Sequence, residues 1–235
     1  LLTKYYLIPH YRERVAFQIH LPKTGTERLV DLSERKFLGA GDPKKYDTEM
    51  DSTSETRKYT IDLNKTALVL IDTWETHGND GWMERAQKNM ETKIVPLLAL
   101  LRKHRVNIIY APSNEKIAPV VSPLPGELIL SSSNLLYNTK EFDRYLKKNG
   151  ITNLLYGGYA LNWCIFNKPM SLVRMSELGY NTILVRDATI AFETPESLSG
   201  EWAYKMTINM VESLWGGTTT VDDLRAALEP EITPQ

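Results

Sequence analysis

Asn153-Leu-Leu-Tyr-Gly-Gly-Tyr-Ala-Leu-Asn-Trp-Cys164 joins a short apolar run to a pair of glycines and ends on the chain's single cysteine. The run has strand length, and its lack of polar alternation marks a strand covered on both faces. Asn162 is a residue type favoured at helix N-caps, so the stretch reads as strand, turn and helix, with Cys164 in the first helical turn. On both sides of it the same alternation recurs. Ala67-Leu-Val-Leu-Ile71 is a first apolar strand ending at Asp72, and Arg85 to His104 has helical period, with Ile94, Leu97, Leu98 and Leu101 on one face. Val106 to Ala111 is a second strand closed by Pro112, Glu127-Leu-Ile-Leu130 a third, and Lys140 to Lys148 a helix stopped by Asn149-Gly150. After the fourth strand, Asn153 to Gly158, a helix runs to Leu178 and Gly179. Thr182 to Val185 is a fifth strand ending at Arg186-Asp187. A helix from Glu201 to Trp215, a short strand near Thr218 to Val221 and a helical turn from Asp222 complete the chain.

Strands alternating with helices of this length give right-handed parallel βαβ units. The expected fold is α/β, a Rossmann-like, doubly wound parallel sheet in three layers, with its ligand site beyond the carboxyl ends of the strands at a topological switch point. Residues 1–58 differ in character. They hold one alternating stretch, Arg14 to Leu21, and a run from Gly39 to Arg57 of loop composition, so they are read as an N-terminal extension packed on a domain spanning 59–235.

With 235 residues, 42% of them hydrophobic, the chain is large enough to bury a full core. A net charge of −1 without a Lys/Arg block argues against a nucleic-acid or anionic-membrane surface. No apolar run approaches bilayer length. One cysteine forms no internal disulfide, which fits a reducing compartment such as the cytoplasm, while a start at Leu rather than Met leaves an exported, processed form open. No glycine-rich phosphate loop is present, and no cofactor is implied. Asp72, Glu75 and His77 form only a weak candidate metal set, because the other histidines (His10, His20, His104) lie away from the strand ends.

The residues following each apolar run are Asp72, Pro112-Ser113-Asn114, Ser131-Ser132-Ser133, Tyr159 to Cys164, and Asp187. A thiol in the first turn of a helix feels free N–H groups and the positive end of the dipole, which lower its pKa and can hold an oxyanion. A buried structural cysteine is the competing reading. Asp72, closing an otherwise apolar strand, is either a loop cap or, with Cys164 on the adjacent strand, an acid/base for the thiol.

Ala67 to Asp72, the strand ending Ile-Ile-Tyr-Ala-Pro112, Gly158 to Cys164, Leu178-Gly-Tyr180 and Val185-Arg-Asp187 resemble the isochorismatase-like cysteine hydrolases over about Thr66 to Leu228. The resemblance implies hydrolysis of amide-type C–N bonds in small molecules. It makes Cys164 the nucleophile and Asp72 its base, sets the main-chain N–H groups of Cys164 and Ala160 as an oxyanion hole, and places a cis peptide at Tyr159–Ala160. It also implies a lysine at the end of the third strand, where this chain has serines; Ser132, or Ser131, takes that position. Lys116 and Lys168 are within sequence reach of the site, but lysine's rarity in interiors favours a surface place for both. Pro169 should kink the helix after Cys164 or delay its regular start. Trp74, His77 and Trp163 would give the pocket an aromatic wall, joined in substrate binding by Tyr159, Ala160 and Asn162. His77 is either a second acid/base or, slightly favoured, a loop histidine bonded to backbone. A small-molecule substrate and a homo-oligomer are the expected partners. Without the strand-end lysine, a binding or scaffold protein that keeps the fold but not the reaction is the alternative.

Overall fold

The computed structural model describes residues 26–37, 54–113 and 116–230. The centre is an eight-stranded sheet. Its strands are β1 (Leu29–Phe37), β2 (Ser54–Asp62), β3 (Thr66–Ile71), β4 (Asn107–Ala111), β5 (Leu128–Ile129), β6 (Asn153–Gly158), β7 (Asn181–Thr189) and β8 (Gly217–Thr219), in the order β2-β1-β8-β7-β6-β3-β4-β5. From β8 to β5 every pairing is parallel. The chain winds outward from β3 to β4 and β5, returns to the other flank of β3 as β6, and continues through β7 to β8. The switch point therefore lies between β3 and β6, the strands that deliver Asp72 and Cys164.

The helices are α1 (Asp80–Asn89), α2 (Val95–Lys103), α3 (Thr139–Lys148), α4 (Cys164–Asn167), α5 (Leu172–Glu177), α6 (Pro195–Leu198), α7 (Trp202–Met210) and α8 (Val221–Leu228). A π turn, Met90–Ile94, joins α1 to α2. β3 is buried at every position and serves two cores at once. Leu68 and Leu70 pack with α1, α2 and α8, while Ala67, Val69 and Ile71 pack with α3, α4, α5 and α7. That two-sided burial is why its sequence reads as a continuous apolar run. No described helix is long and apolar enough to cross a membrane.

The sheet is mixed rather than wholly parallel. β1 and β2 pair antiparallel over nine residues, and β1 joins the β8 edge through Arg35 opposite Thr218. Residues 54–57, read from composition as loop, are strand, and β2 runs across the expected boundary at 58. The expected strand at 14–21 lies outside the described residues. The hairpin escapes a hydrophobicity reading because β2 is largely exposed and β1 buries a carboxylate beside Leu32. Buried Glu34 accepts from Arg57 (3.1 Å) within the hairpin, and buried Glu212 accepts from Arg35 (2.7 Å) and Thr218 (2.6 Å), so one charged pair ties β1 to β2 and the other clips the hairpin to the β8 side of the sheet.

Pro169 has the expected effect: α4 lasts one turn, and regular helix resumes only at Leu172. At the end of β6, Gly158 has φ +93°, and a Cβ there would stand 1.9 Å from the Ile71 carbonyl oxygen. Gly126 has the same φ with open space around it. Gly126→Ala should therefore cost only the left-handed backbone penalty, about 1–2 kcal/mol. Gly158→Ala should exceed about 4 kcal/mol or yield no soluble protein. Urea unfolding of the two variants measures the difference, and equal losses would deny the close β3–β6 approach.

Candidate active site

Asp72 follows β3 with φ 45° and is fully buried. Aspartate tolerates the left-handed region better than most residues, at a cost on the order of 1–3 kcal/mol that surrounding contacts must offset. Those contacts come from the strand on its other side. The Ser113 backbone N–H donates to Asp72 Oδ1 (2.5 Å), and the Ser113 hydroxyl to Oδ2 (3.1 Å). The remaining partner is Lys168, whose Nζ lies 2.6 Å from Asp72 Oδ1 and 2.6 Å from the Ala111 carbonyl oxygen. Lys168 is 6% exposed, and its ammonium also lies 5.8 Å from the centre of the Tyr137 ring.

The sequence explains how the lysine arrives. A residue preceding proline is driven out of the helical region. Lys168, before Pro169, is extended (φ −68°, ψ 158°) and ends α4 four residues after Cys164. The chain leaves the helix there, and the side chain runs beneath the ends of β3 and β4. The expected surface place for Lys168 is thus overturned by an ion pair that compensates its burial. Lys116 is exposed, and its carbonyl accepts from the Glu75 N–H. Ser132 lies in the exposed turn after β5. Positive charge reaches this site from the cysteine's own helix, not from the third strand.

Cys164 is partly buried and lies within electrostatic reach of Asp72. Its thiol is pushed up to about 12, first by burial and then by the Asp72 charge and hydrogen bond; Lys168 and the Ala160 backbone act in the opposite sense. This reverses the expected lowering. A one-turn helix aligns few peptide dipoles, whereas Asp72 is in contact. The Tyr159–Ala160 peptide is cis.

Asn162 is not the helix cap. The residue at the cap position is Trp163, without a side-chain cap bond. Asn162 instead grips Phe192, with Nδ2 donating to its carbonyl (2.9 Å) and Oδ1 accepting from its N–H (3.0 Å). Tyr159 is a core side chain. Its hydroxyl donates to the Ala86 carbonyl (2.8 Å) and lies 3.0 Å from Asn89 Oδ1, so only its backbone borders the site. Ala160 is buried, and its carbonyl accepts from the N–H groups of Trp163 and Ile165.

The aromatic side chains do come together. His77 stacks on Trp74 (4.7 Å, 21°), Trp82 on Phe192 (4.5 Å, 25°), and Trp163, 59% exposed, stands edge-on to Phe192 (5.7 Å). His77 is therefore a ring in a stack, and its buried Nδ1 has no hydrogen-bond partner, contrary to the backbone-bonded reading. Among the described residues no three His, Cys, Asp or Glu side chains form a metal-binding group. Four residues were not singled out from sequence. Trp82 precedes the expected start of its helix at Arg85, Phe192 and Tyr137 lie in no expected element, and Ser113 is visible only as a strand-end residue. Burial, with the charges of Asp72 and Cys164, pushes the Tyr137 hydroxyl up, and Ser113 hydrogen-bonds to it.

A Cys–Asp–Lys cluster thus stands at the switch point of a doubly wound sheet. The model of the isochorismatase domain matches residues 66–213, and the chain belongs to that family. An isochorismatase family protein, YrdC of Bacillus subtilis, is 29% identical over 144 residues, covering 54% of this chain and 75% of its own length. Ureidoacrylate amidohydrolase RutB of Azorhizobium caulinodans is 31% identical over 116 residues, covering 49% of this chain and 47% of its own length, so this chain spans about half of that relative. A cysteine hydrolase from Pseudomonas syringae superimposes with a TM-score of 0.58 at 15% identity, over 71% of this chain and 95% of that one, and shares the fold.

Two outcomes follow from the geometry. Lys168→Met strands a buried carboxylate and should cost about 3–5 kcal/mol. Adding Asp72→Asn should recover most of that loss in chemical denaturation; additive losses would deny the pairing. Iodoacetamide should alkylate Cys164 at pH 7.5 at least about 100-fold more slowly than an ordinary thiol, since alkylation needs the thiolate. Asp72→Asn should speed labelling at pH 8, because removing the carboxylate lowers the thiol pKa. A wild-type rate at the level of a free cysteine would contradict the direction of the shift.

Proposed function

We propose that this protein hydrolyses an amide-type C–N bond in a small molecule through a thioester on Cys164. The supporting observation is the buried Lys168–Asp72 pair beside the cysteine. A thiol held up near 12 is protonated at neutral pH, so its proton must leave as attack occurs. Asp72, whose charge acts on the thiol, is the base that takes that proton. Sulfur adds to the carbonyl carbon, and the developing oxyanion is received by the main-chain N–H groups of Ala160 and Cys164. The protonated Asp72 then gives its proton to the departing nitrogen, which leaves as ammonia or an amine. Water, deprotonated by Asp72, cleaves the thioester and returns the thiol. Lys168, 2.6 Å from Asp72, offsets the burial of the carboxylate. Ser132 is given no chemical step.

Trp74, His77, Trp82, Phe192 and Trp163 suit a flat, unsaturated substrate, whose faces stack on aromatic rings. The name ureidoacrylate amidohydrolase, carried by three relatives, is consistent with such a substrate. The reading as a binding protein rested on a missing lysine, and Lys168 removes that ground. Ammonia release from a panel of ureido acids, carbamoyl amines and primary amides tests the proposal. At least one class should be turned over, Cys164→Ala should abolish it, and Lys168→Met should lower kcat by about 100-fold or more. A panel without turnover, with ligand binding retained in Cys164→Ala, would replace the hydrolase by the binding protein.

A further inference from the structure

A second cavity stands one strand away from the cysteine. Cys164 follows β6, whereas this cavity lies at the carboxyl end of β7, walled by α1 and by the start of α7. Its volume is about 220 Å³, and its polar lining is Arg85, Asn89, Asp187, Thr189, Glu201 and Tyr204. Neither the Cys–Asp–Lys cluster nor any ring of the aromatic wall lines it.

Half of that lining is already engaged. The Asn89 amide donates to the Asp187 carbonyl (2.8 Å) and lies 3.0 Å from the Tyr159 hydroxyl. The Asp187 carboxylate is held by the Val221 N–H (2.9 Å) and by Lys93 (2.9 Å), and the Tyr204 hydroxyl donates to the Arg186 carbonyl (2.6 Å). The other half has capacity to spare. Thr189 is 2% exposed, and its buried hydroxyl has no hydrogen-bond partner among the described residues. Leaving such a group unpaired costs about 1–3 kcal/mol, which a ligand oxygen would recover. Arg85, half-buried, places one of its five N–H donors on the Ala191 carbonyl at 3.3 Å, and its charge also reaches Glu193. Glu201 is exposed and forms no ion pair or side-chain hydrogen bond among the described residues, although its charge is felt by Tyr204.

We propose that this cavity binds a small amino acid as its zwitterion. The carboxylate lies on Arg85 and the Thr189 hydroxyl, and the ammonium on Glu201. A guanidinium fork matches a carboxylate better than any other side chain does. A simple anion would meet Glu201 as a like charge, and a simple cation would meet Arg85. Asp187 adds no preference, because Lys93 answers its charge. At roughly 30 Å³ for each water-sized unit, the volume suits about seven non-hydrogen atoms, the size of alanine or serine. Binding here needs no chemistry at Cys164.

Isothermal titration of the full chain with L-alanine and L-serine tests the site, with propionate, ethylamine and L-tryptophan as controls. Alanine and serine should bind with a millimolar dissociation constant or tighter. Propionate lacks the ammonium and ethylamine the carboxylate, so each should bind at least about tenfold more weakly, as loss of a charged hydrogen bond requires. Tryptophan, too large for the cavity, should give no heat. Glu201→Gln and Thr189→Val should each weaken alanine by about tenfold. Both variants keep the side-chain shape, and Glu201 makes no bond that folding would miss. Cys164→Ala should leave the affinity unchanged. A flat titration with both amino acids, equal binding of propionate and alanine, full affinity in both lining variants, or loss of binding in Cys164→Ala would each overturn the proposal.

Discussion

A lysine ammonium and an aspartate carboxylate buried together at the end of β3 constrain more of this structure than any other contact. Taking two charges out of water costs several kcal/mol each, and their attraction offsets this only when geometry is good and the remaining polar valences are filled. Each requirement has a visible cause. Ser113 covers both Asp72 oxygens, the Ala111 carbonyl takes a second lysine proton, and the left-handed turn at Asp72 aims the carboxylate back across the strand ends. The switch point makes this possible. Because the chain reverses winding between β3 and β6, three consecutive positions in the sheet (β4, β3, β6) present their carboxyl ends side by side, and one carboxylate can be held from both flanks.

The pair also decides the state of the cysteine. In a thiolate–cation site the sulfur is ionised beforehand and needs no base. Here the lysine's charge is already engaged by the carboxylate, so the negative neighbour dominates at the thiol. Burial pushes in the same direction. A protonated thiol with a base in contact favours substrates that bring their own electrophile to the sulfur over indiscriminate alkylation or oxidation, since reactivity appears only as the proton leaves.

Much of the frame was legible in the sequence. β3, β4, β6 and the interior of β7 are buried on both faces, and nothing but a covered strand accounts for such runs. Asp72 and Cys164 stood out because each interrupts apolar sequence at a strand end. The unread parts share a physical origin: polar groups that are buried because something distant compensates them. Lys168 looks like a surface lysine until Asp72, 96 positions away, is set against it. Glu34 hides β1 in the same way, its charge answered by Arg57. Asn162 has the composition of a cap, but its amide pairs with backbone 30 positions on. Local pattern reports propensity, and none of these contacts is local.

Placing the lysine on the cysteine's own helix changes what holds the site together. A lysine at the end of β5 would depend on the packing of an edge strand of two residues. Lys168 depends instead on the single turn of α4 and on Pro169, which stops the turn and sends the side chain inward. The nucleophile candidate and the cation thus share one short stretch of backbone, bonded at Lys168 N–H to the Cys164 carbonyl. Their relative position is fixed by local geometry, and only Asp72 must be brought to them by the fold. That division frees the turn after β5 from carrying charge. It is then a run of serines with Leu135 exposed at its tip, a surface whose sequence the buried pair no longer restricts.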